Sequence, residues 1–278
     1  MNKKSKGFLA LSATALLAVA IGGCGILPSE TSGGVKEHPS AAGQEGQAEP
    51  AGGAGAEKGQ DSGKAPANAP VKKPSLEDTI REVNGVPTVT NPDDVTVLVN
   101  KQRALPADYI PPDLVEPQVP FPYEEKVEKR LMRAEAARAL EALFLKAEMD
   151  GIKLYAVSGY RSYRTQKSLY ETYVQTQGPE HAAAFSAEPG KSEHQTGLAM
   201  DVSGADSETR LEQSFADTPE GKWLEANCAD FGFVIRYPKG KEAITGYAYE
   251  PWHLRYVGTE IAKEVMSRGL TLEEYFSP

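Results

Sequence analysis

Four side chains in two short segments can bind a metal ion and hydrolyse a bond. His194 and Asp201 lie in the segment SEHQTGLAMD, and Glu250 and His253 lie in the segment YEPWH. Two imidazoles and a short carboxylate form a set of the kind that binds catalytic zinc, which keeps one coordination position open for water. Bound zinc lowers the pKa of that water, and a free carboxylate such as Glu250 can move its proton to the leaving group. We therefore expect a zinc (Zn²⁺) hydrolase.

The spacing within the first segment is only moderately specific. The seven-position separation of His194 and Asp201 matches neither an HExxH helix nor the paired cysteines of a zinc finger. A lone histidine in a glycine-containing loop is more often a structural hydrogen-bonding group than a ligand. The distant pair of Glu250 and His253 is what favours the metal site.

A strand is expected to present the carboxylate of the first segment. Residues 198–203 read as a strand, in which alternate side chains face opposite sides. Met200 and Val202 would then enter the core, whereas Asp201 would face a cleft.

The second segment is harder to place. Glu250 and His253 are three positions apart, so a regular strand would point them to opposite sides. Pro251 also disfavours a central strand. We therefore expect Glu250 in the turn before a strand at 252–257, where both side chains can reach one metal ion.

The remaining pattern predicts an α+β fold, with a small antiparallel β-sheet flanked by helices. Helices are predicted at 124–149, 163–177, 179–185, 219–230 and 259–268, and further strands at 94–100, 152–157 and 231–237. A proline-rich strap at 105–122 suits neither element. The order lacks regular βαβ repeats, which disfavours a doubly wound sheet.

The N-terminus is typical of an exported protein. A basic head and an apolar run end at Cys24, which predicts a secretory signal peptide at 1–23. The ending IGGC resembles the bacterial lipoprotein box, in which the cysteine is diacylated; an ordinary signal peptide with an incidental cysteine is the alternative. Two acyl chains anchor a protein stably. Cys228 would then be a buried apolar residue rather than half of a disulfide.

A linker is expected between the anchor and the folded part. Residues 24–73 are rich in small, polar and charged residues and cannot bury enough apolar surface to fold. We predict a disordered, lipid-anchored linker at 24–73 and a catalytic domain at 74–278. His38 and His181 are expected to be bystanders. The net charge of −9 gives no support to a nucleic-acid partner.

The two segments together carry a resemblance. Ser-x-His-x-x-Gly-x-Ala-x-Asp followed by Glu-x-x-His resembles the VanY-type zinc D-alanyl-D-alanine carboxypeptidases, whose fold is shared with lysostaphin-like peptidases and the hedgehog signalling domain. The resemblance implies that His194, Asp201 and His253 bind zinc and that Glu250 is the general base. It also implies that Gly197 keeps the loop tight beside the metal, with backbone angles that glycine tolerates.

Substrate recognition is expected from a second turn. The segment SGYRS, with Gln166 beyond it, resembles the part of this family in which Arg and Gln hold the substrate's terminal carboxylate and backbone. The planar guanidinium of Arg161 suits a carboxylate, because it donates two parallel hydrogen bonds; a surface salt bridge is the alternative. Ser192 and Tyr160 are expected in the same pocket, and Trp252 either packs beneath its neighbour or faces the substrate.

Several functions fit these residues. The first is removal of the C-terminal D-alanine from peptidoglycan stem peptides, as a D,D-carboxypeptidase, with an L,D-carboxypeptidase or an endopeptidase as alternatives. A metal-bearing wall-binding module without turnover is less consistent with Glu250 and Arg161, because binding alone requires neither. We expect a monomeric lipoprotein on the extracellular face of the bacterial cell membrane.

Overall fold

The computed structural model describes residues 75–180, 182 and 186–277. The predicted signal peptide and linker, with Cys24 and His38, lie outside the described residues, and so do His181 and part of the predicted helix 179–185. Within the part described, none of the helices combines the length and apolarity needed to cross a membrane.

A four-stranded antiparallel sheet forms the centre of the fold. The strands are β1 (Ile80–Val83), β2 (Val86–Val89), β3 (Leu114–Val115), β4 (Met132–Arg133), β5 (Tyr155–Ser158), β6 (Ala199–Ser203), β7 (Phe233–Tyr237) and β8 (Glu250–Tyr256). The central sheet has the order β5-β6-β8-β7, while β1 pairs with β2 and β3 with β4. The predicted α+β class with a small antiparallel sheet is confirmed.

Helices pack against this sheet. The α-helices are α1 (Ala134–Met149), α2 (Tyr163–Gln177), α3 (Pro219–Asn227), α4 (Glu242–Thr245), α5 (Thr259–Arg268) and α6 (Leu272–Phe276), and shorter 3-10 turns occupy Glu128–Arg130, Glu193–Thr196, Gln213–Asp217 and Cys228–Phe231. The predicted bounds of α2 and α5 are confirmed. The Thr218 hydroxyl accepts a hydrogen bond from Gly221 N at the start of α3, as its position before Pro219 predicts.

The core lies between α1 and the sheet. Leu140 and Leu143 of α1 are fully buried and belong to one apolar cluster with Met200 and Val202 of β6. The predicted alternation of β6 is therefore confirmed, and it leaves Asp201 on the other face. Cys228 is a buried thiol with no disulfide partner among the described residues, as expected.

The prediction that a helix begins at 124 is wrong, because α1 begins at Ala134. The preceding backbone is used elsewhere: Lys129 O accepts a hydrogen bond from Gly159 N and Leu131 O from Tyr160 N, each at 2.7 Å. These carbonyls thus support the turn that leads to Arg161 instead of bonding within a helix.

The predicted strand at 94–100 is also wrong. This stretch is largely irregular, with one isolated bridge at Asn100, although Val97 and Val99 are buried. Its carbonyls are satisfied by a side chain, since Arg255 Nη2 donates to Val95 O at 3.0 Å and to Val97 O at 2.6 Å. β-Branched residues here fill the core without a neighbouring strand.

Several short elements were missed, among them the hairpin of β1 and β2 and the helix α6. Asn84 and Gly85 connect β1 and β2 with φ of 51° and 78°, which is the geometry that an Asn-Gly hairpin turn requires. The short helix α6 begins with a capping box formed by Thr271 and Glu274.

Candidate metal centre

Three elements bring the predicted ligands together. His194 lies in the 3-10 turn Glu193–Thr196, Asp201 lies on β6, and His253 lies on β8 directly opposite Asp201 in the ladder. Asp201 Oδ2 is 3.5 Å from His194 Nε2, and Asp201 Oδ1 is 3.1 Å from His253 Nδ1. One ligand atom from each of the three buried residues lies within 4.8 Å of the others.

Two glycines shape the loop that presents His194. Gly197 ends the turn with a φ of 67°, and a Cβ there would lie 3.0 Å from side-chain carbons of Arg133 and Leu114. This agrees with the tight loop expected at Gly197. The carbonyl of Gly159 accepts a hydrogen bond from His194 Nδ1 at 2.8 Å. Because a carbonyl can only accept, Nδ1 carries the proton and Nε2 is free to face Asp201.

Glu250 is the first residue of β8 and not part of a preceding turn, so that prediction is wrong. It pairs with Tyr237, and the register between β7 and β8 is irregular between Ile235 and Tyr237. This irregularity lets Glu250 and His253 face the same cleft despite their spacing, with Glu250 Oε2 3.6 Å from His253 Nδ1. Pro251 is tolerated because the β6 ladder begins only at His253.

Burial and neighbouring charge set the protonation of these groups. Burial lowers the pKa of His194 to about 3, against the opposing charge of Asp201. Burial disfavours charge on His253 too, but the carboxylates of Asp201 and Glu193 outweigh it and raise its pKa to about 10. Burial raises the pKa of Glu250 to about 7, with Asp201 adding to the effect. The surrounding carboxylates therefore favour a cation at this point.

The residues fit a zinc ion. Two imidazole nitrogens and a carboxylate oxygen are donors that catalytic zinc uses. Asp201 Oδ1 is buried and finds no hydrogen-bond partner in the described part of the chain. A buried polar atom without a partner is costly, and coordination of a metal ion would satisfy it.

A cavity of about 190 Å³ opens onto the three residues. Arg161, Ser192, Glu250 and Trp252 line it, as predicted. The Trp252 ring also packs partly against the core. The Glu250 side chain is 26% exposed and can exchange protons with the cavity.

Two predicted substrate-binding residues do not line the cavity. Gln166 is 1% exposed and lies behind Arg161, whose Nη1 donates to its Oε1 at 2.9 Å. The Gln166 amide is itself fixed by Ser186 Oγ and the carbonyl of Ala187, at 3.2 and 2.6 Å. Gln166 thus orients the guanidinium. Tyr160 is buried and lines a separate cavity.

Sequence reasoning missed two tyrosines in the cavity wall. Tyr237 and Tyr247 pack against each other with tilted rings whose centroids lie 4.7 Å apart, and the Tyr237 ring also lies 5.0 Å from the His253 ring. The Tyr247 hydroxyl is buried without a hydrogen-bond partner among residues the structure describes. No periodicity indicated Tyr247, because it follows a glycine in an irregular connection.

The chain is similar to known proteins in sequence and in fold. Residues 129–259 match the VanY family, described as D-alanyl-D-alanine carboxypeptidase. A putative carboxypeptidase, YodJ, of Bacillus subtilis (strain 168) is 52% identical over 197 residues, which is 71% of this chain and 72% of that protein.

Two solved structures share the fold. One is the LdcB LD-carboxypeptidase, with a TM-score of 0.69 and 52% identity over 71% of this chain and 92% of that one. Another is a vancomycin-resistance D,D-pentapeptidase VanY in complex with Zn(II), with a TM-score of 0.53 and 32% identity over 66% of this chain and 99% of that one.

Proposed function

The chain belongs to the VanY family of D-alanyl-D-alanine carboxypeptidases, and from this membership we propose that it removes the C-terminal D-alanine from peptidoglycan stem peptides. It is a zinc-dependent metallopeptidase. The observation that carries the proposal is the meeting of His194, Asp201 and His253 beside Glu250, in the cavity that Arg161 also lines.

In this proposal each residue has one task. His194, Asp201 and His253 hold the zinc ion. Zinc in such a site lowers the pKa of bound water and polarises the carbonyl to be attacked. Glu250 accepts a proton from the attacking water and returns it to the nitrogen of the leaving D-alanine. A pKa of about 7 suits a group that must both accept and donate near neutral pH.

Arg161 supports exopeptidase over endopeptidase activity. Its guanidinium is held from behind by Gln166, so its remaining N–H groups are oriented toward the cavity before substrate binds. A carboxylate accepts two parallel hydrogen bonds from such a group, and the C-terminus beside the scissile bond of an exopeptidase substrate supplies one. A substrate cut at an internal peptide bond places no C-terminal carboxylate here, so the half-buried Arg161 guanidinium would lack that partner.

The first substrate we propose is a stem peptide that ends in D-Ala-D-Ala, as in the family description. A second candidate is L,D-carboxypeptidase activity on the tetrapeptide stem. The specific observation in its favour is the 52% identity to the LD-carboxypeptidase LdcB over 92% of that chain, against 32% to the D,D-pentapeptidase.

A peptide assay separates these functions. The purified chain, loaded with zinc, is incubated with a pentapeptide ending in D-Ala-D-Ala or with the tetrapeptide, with and without chelator, and products are identified by mass spectrometry. Chelator-sensitive loss of one D-alanine establishes the carboxypeptidase, and the preferred peptide identifies the subclass. No release from either peptide with zinc bound would refute the proposal and favour a crossbridge endopeptidase or a binding module.

We also propose that the protein is a lipoprotein anchored through Cys24 at the outer face of the cell membrane, and that it acts as a monomer. The support is the basic head, the apolar run and the IGGC ending of the first 24 residues. Incorporation of a labelled fatty acid, with Cys24→Ala as the control, tests the anchor. Analytical ultracentrifugation tests the monomer.

A further inference from the structure

We propose that Glu193 is a positioning residue of the metal centre, whose carboxylate faces the outer nitrogen of the His253 ring and so directs the inner nitrogen to the metal. The inference rests on the proposed function, since it takes His253 as a zinc ligand.

The Glu193 carboxylate is buried and its two oxygens have different surroundings. The residue is 1% exposed. Oε1 accepts hydrogen bonds from Arg236 Nε at 2.7 Å and from Arg255 Nη1 at 2.8 Å. Oε2 accepts none from the residues described, and it lies 3.6 Å from His253 Nε2, a buried atom that likewise has no hydrogen-bond partner there. Each of these two atoms is thus the natural partner of the other.

A carboxylate at this point selects one form of the imidazole. Because an ionised carboxylate can only accept, it favours the His253 tautomer with its proton on Nε2. The lone pair then lies on Nδ1, which is the nitrogen that faces Asp201. His194 is arranged in the opposite sense, with Nδ1 bonded to the Gly159 carbonyl and Nε2 facing Asp201. Metal-binding histidines in proteins usually have an outer partner of this kind.

The surrounding charges hold Glu193 in place. Arg236 on β7 and Arg255 on β8 are both completely buried, so the carboxylate is clamped between two strands of the sheet. Arg236 also donates to Glu273 of α6, with Nη1 and Nη2 at 2.9 and 2.6 Å from its oxygens. Glu193 and Glu273 therefore both neutralise Arg236, but only Glu193 faces His253. Glu273 serves as the comparison for a glutamate whose role is limited to Arg236.

This difference supplies a matched pair of variants. In Glu193→Gln the amide oxygen can still accept from both arginines, but the amide NH₂ then faces His253 Nε2. An NH₂ group donates, so it favours the tautomer with its proton on Nδ1, and that proton blocks metal binding. Glu273→Gln removes a carboxylate from the same Arg236 and leaves Glu193 unchanged.

The test measures zinc affinity of the full chain by competition with a chromophoric chelator. We expect Glu193→Gln to bind zinc about 10- to 100-fold more weakly than wild type, and Glu273→Gln to keep wild-type affinity. Equal affinity in all three proteins, or an equal loss in both variants, would overturn the inference while the proposed function stands. Failure of the wild type to bind zinc would overturn both.

A second measurement needs no variant and covers the case in which Glu193→Gln does not fold. The wild-type chain is labelled with isotopic histidine and studied by NMR with and without zinc. We expect a proton on His253 Nε2 that exchanges slowly with water in both states, and a zinc-induced shift at Nδ1. A zinc-induced shift at Nε2, or loss of the Nε2 proton when zinc binds, would contradict the role assigned to Glu193.

Discussion

Truncation of Arg161 should weaken hydrolysis of a peptide with a free C-terminal carboxylate far more than hydrolysis of the same peptide with a C-terminal amide. Of the N–H groups on its guanidinium, one on Nη1 is used by Gln166 at 2.9 Å, and one on Nη2 lies 3.4 Å from Ser158 Oγ. The others remain for a ligand in the cavity.

The size of the effect follows from the kind of contact. Loss of one partner from a buried, hydrogen-bonded charge pair costs about 2–5 kcal/mol. At about 1.4 kcal/mol for each factor of ten, Arg161→Ala should lower kcat/KM on the acid about 30- to 4,000-fold. The kcat/KM of Arg161→Lys on the acid should lie between those of wild type and Arg161→Ala, because an ammonium keeps the charge but lacks the planar fork.

The assay is a cycle of two enzymes and two substrates. Wild type and Arg161→Ala are each given the acid and the amide form of one stem peptide, and kcat/KM is measured for the four combinations. The exposed Arg164→Ala, three positions along the chain, is the control and should behave as wild type. An equal loss on acid and amide would refute carboxylate recognition by Arg161, and equal wild-type rates on both would indicate an endopeptidase.

Three further predictions concern the site and its support. Glu250→Gln should lower kcat about 10²- to 10⁴-fold while zinc content, measured by metal analysis, stays unchanged; full activity would refute its role as general base. Gly159→Ala should weaken zinc binding and lower the melting temperature, because its Cβ would contact Leu131 O and lie 2.7 Å from Met200 Cε; normal values for both would contradict the close packing. Acid should destabilise the fold through Glu273. Burial alone would raise the pKa of Glu273, but Arg236 lowers it below its ordinary value. The folded chain therefore binds fewer protons there than the unfolded chain, and the stabilisation, present above about pH 4.3, is lost as the pH falls through the lowered pKa. Denaturant unfolding of Glu273→Gln should show a shallower loss of stability between about pH 5 and about pH 3 than wild type, and parallel curves would contradict the assignment.

The parts of the site that follow a local rule could be predicted from the sequence. Side chains at alternate positions of a strand point to opposite faces of the sheet. Because Met200 and Val202 face the core, Asp201 faces the cleft. The helix after Ser162 begins where a serine cap permits, with Thr165 N donating to its side chain.

Other parts depend on contacts between distant segments. Glu250 reaches the site through an irregular register with β7, which the order of residues in its own segment does not encode. The stretch at 94–100 has a strand composition, but Arg255, which lies far along the chain, satisfies its carbonyls. Glu193 was missed because a glutamate between a serine and a histidine in a loop is usually solvent-exposed.

The buried arginines determine when during folding the metal site becomes complete. Arg255 reaches back to the carbonyl of Val97, and Arg236 reaches forward to Glu273, and both meet at Glu193 beside His253. The charges around the zinc pocket are therefore complete only when segments almost 180 residues apart in the chain have docked. A proteolytically clipped protein in which either arginine could not reach Glu193 would bind zinc poorly. Zinc binding would thus require the completed fold, so that peptide hydrolysis begins only after the domain has finished folding.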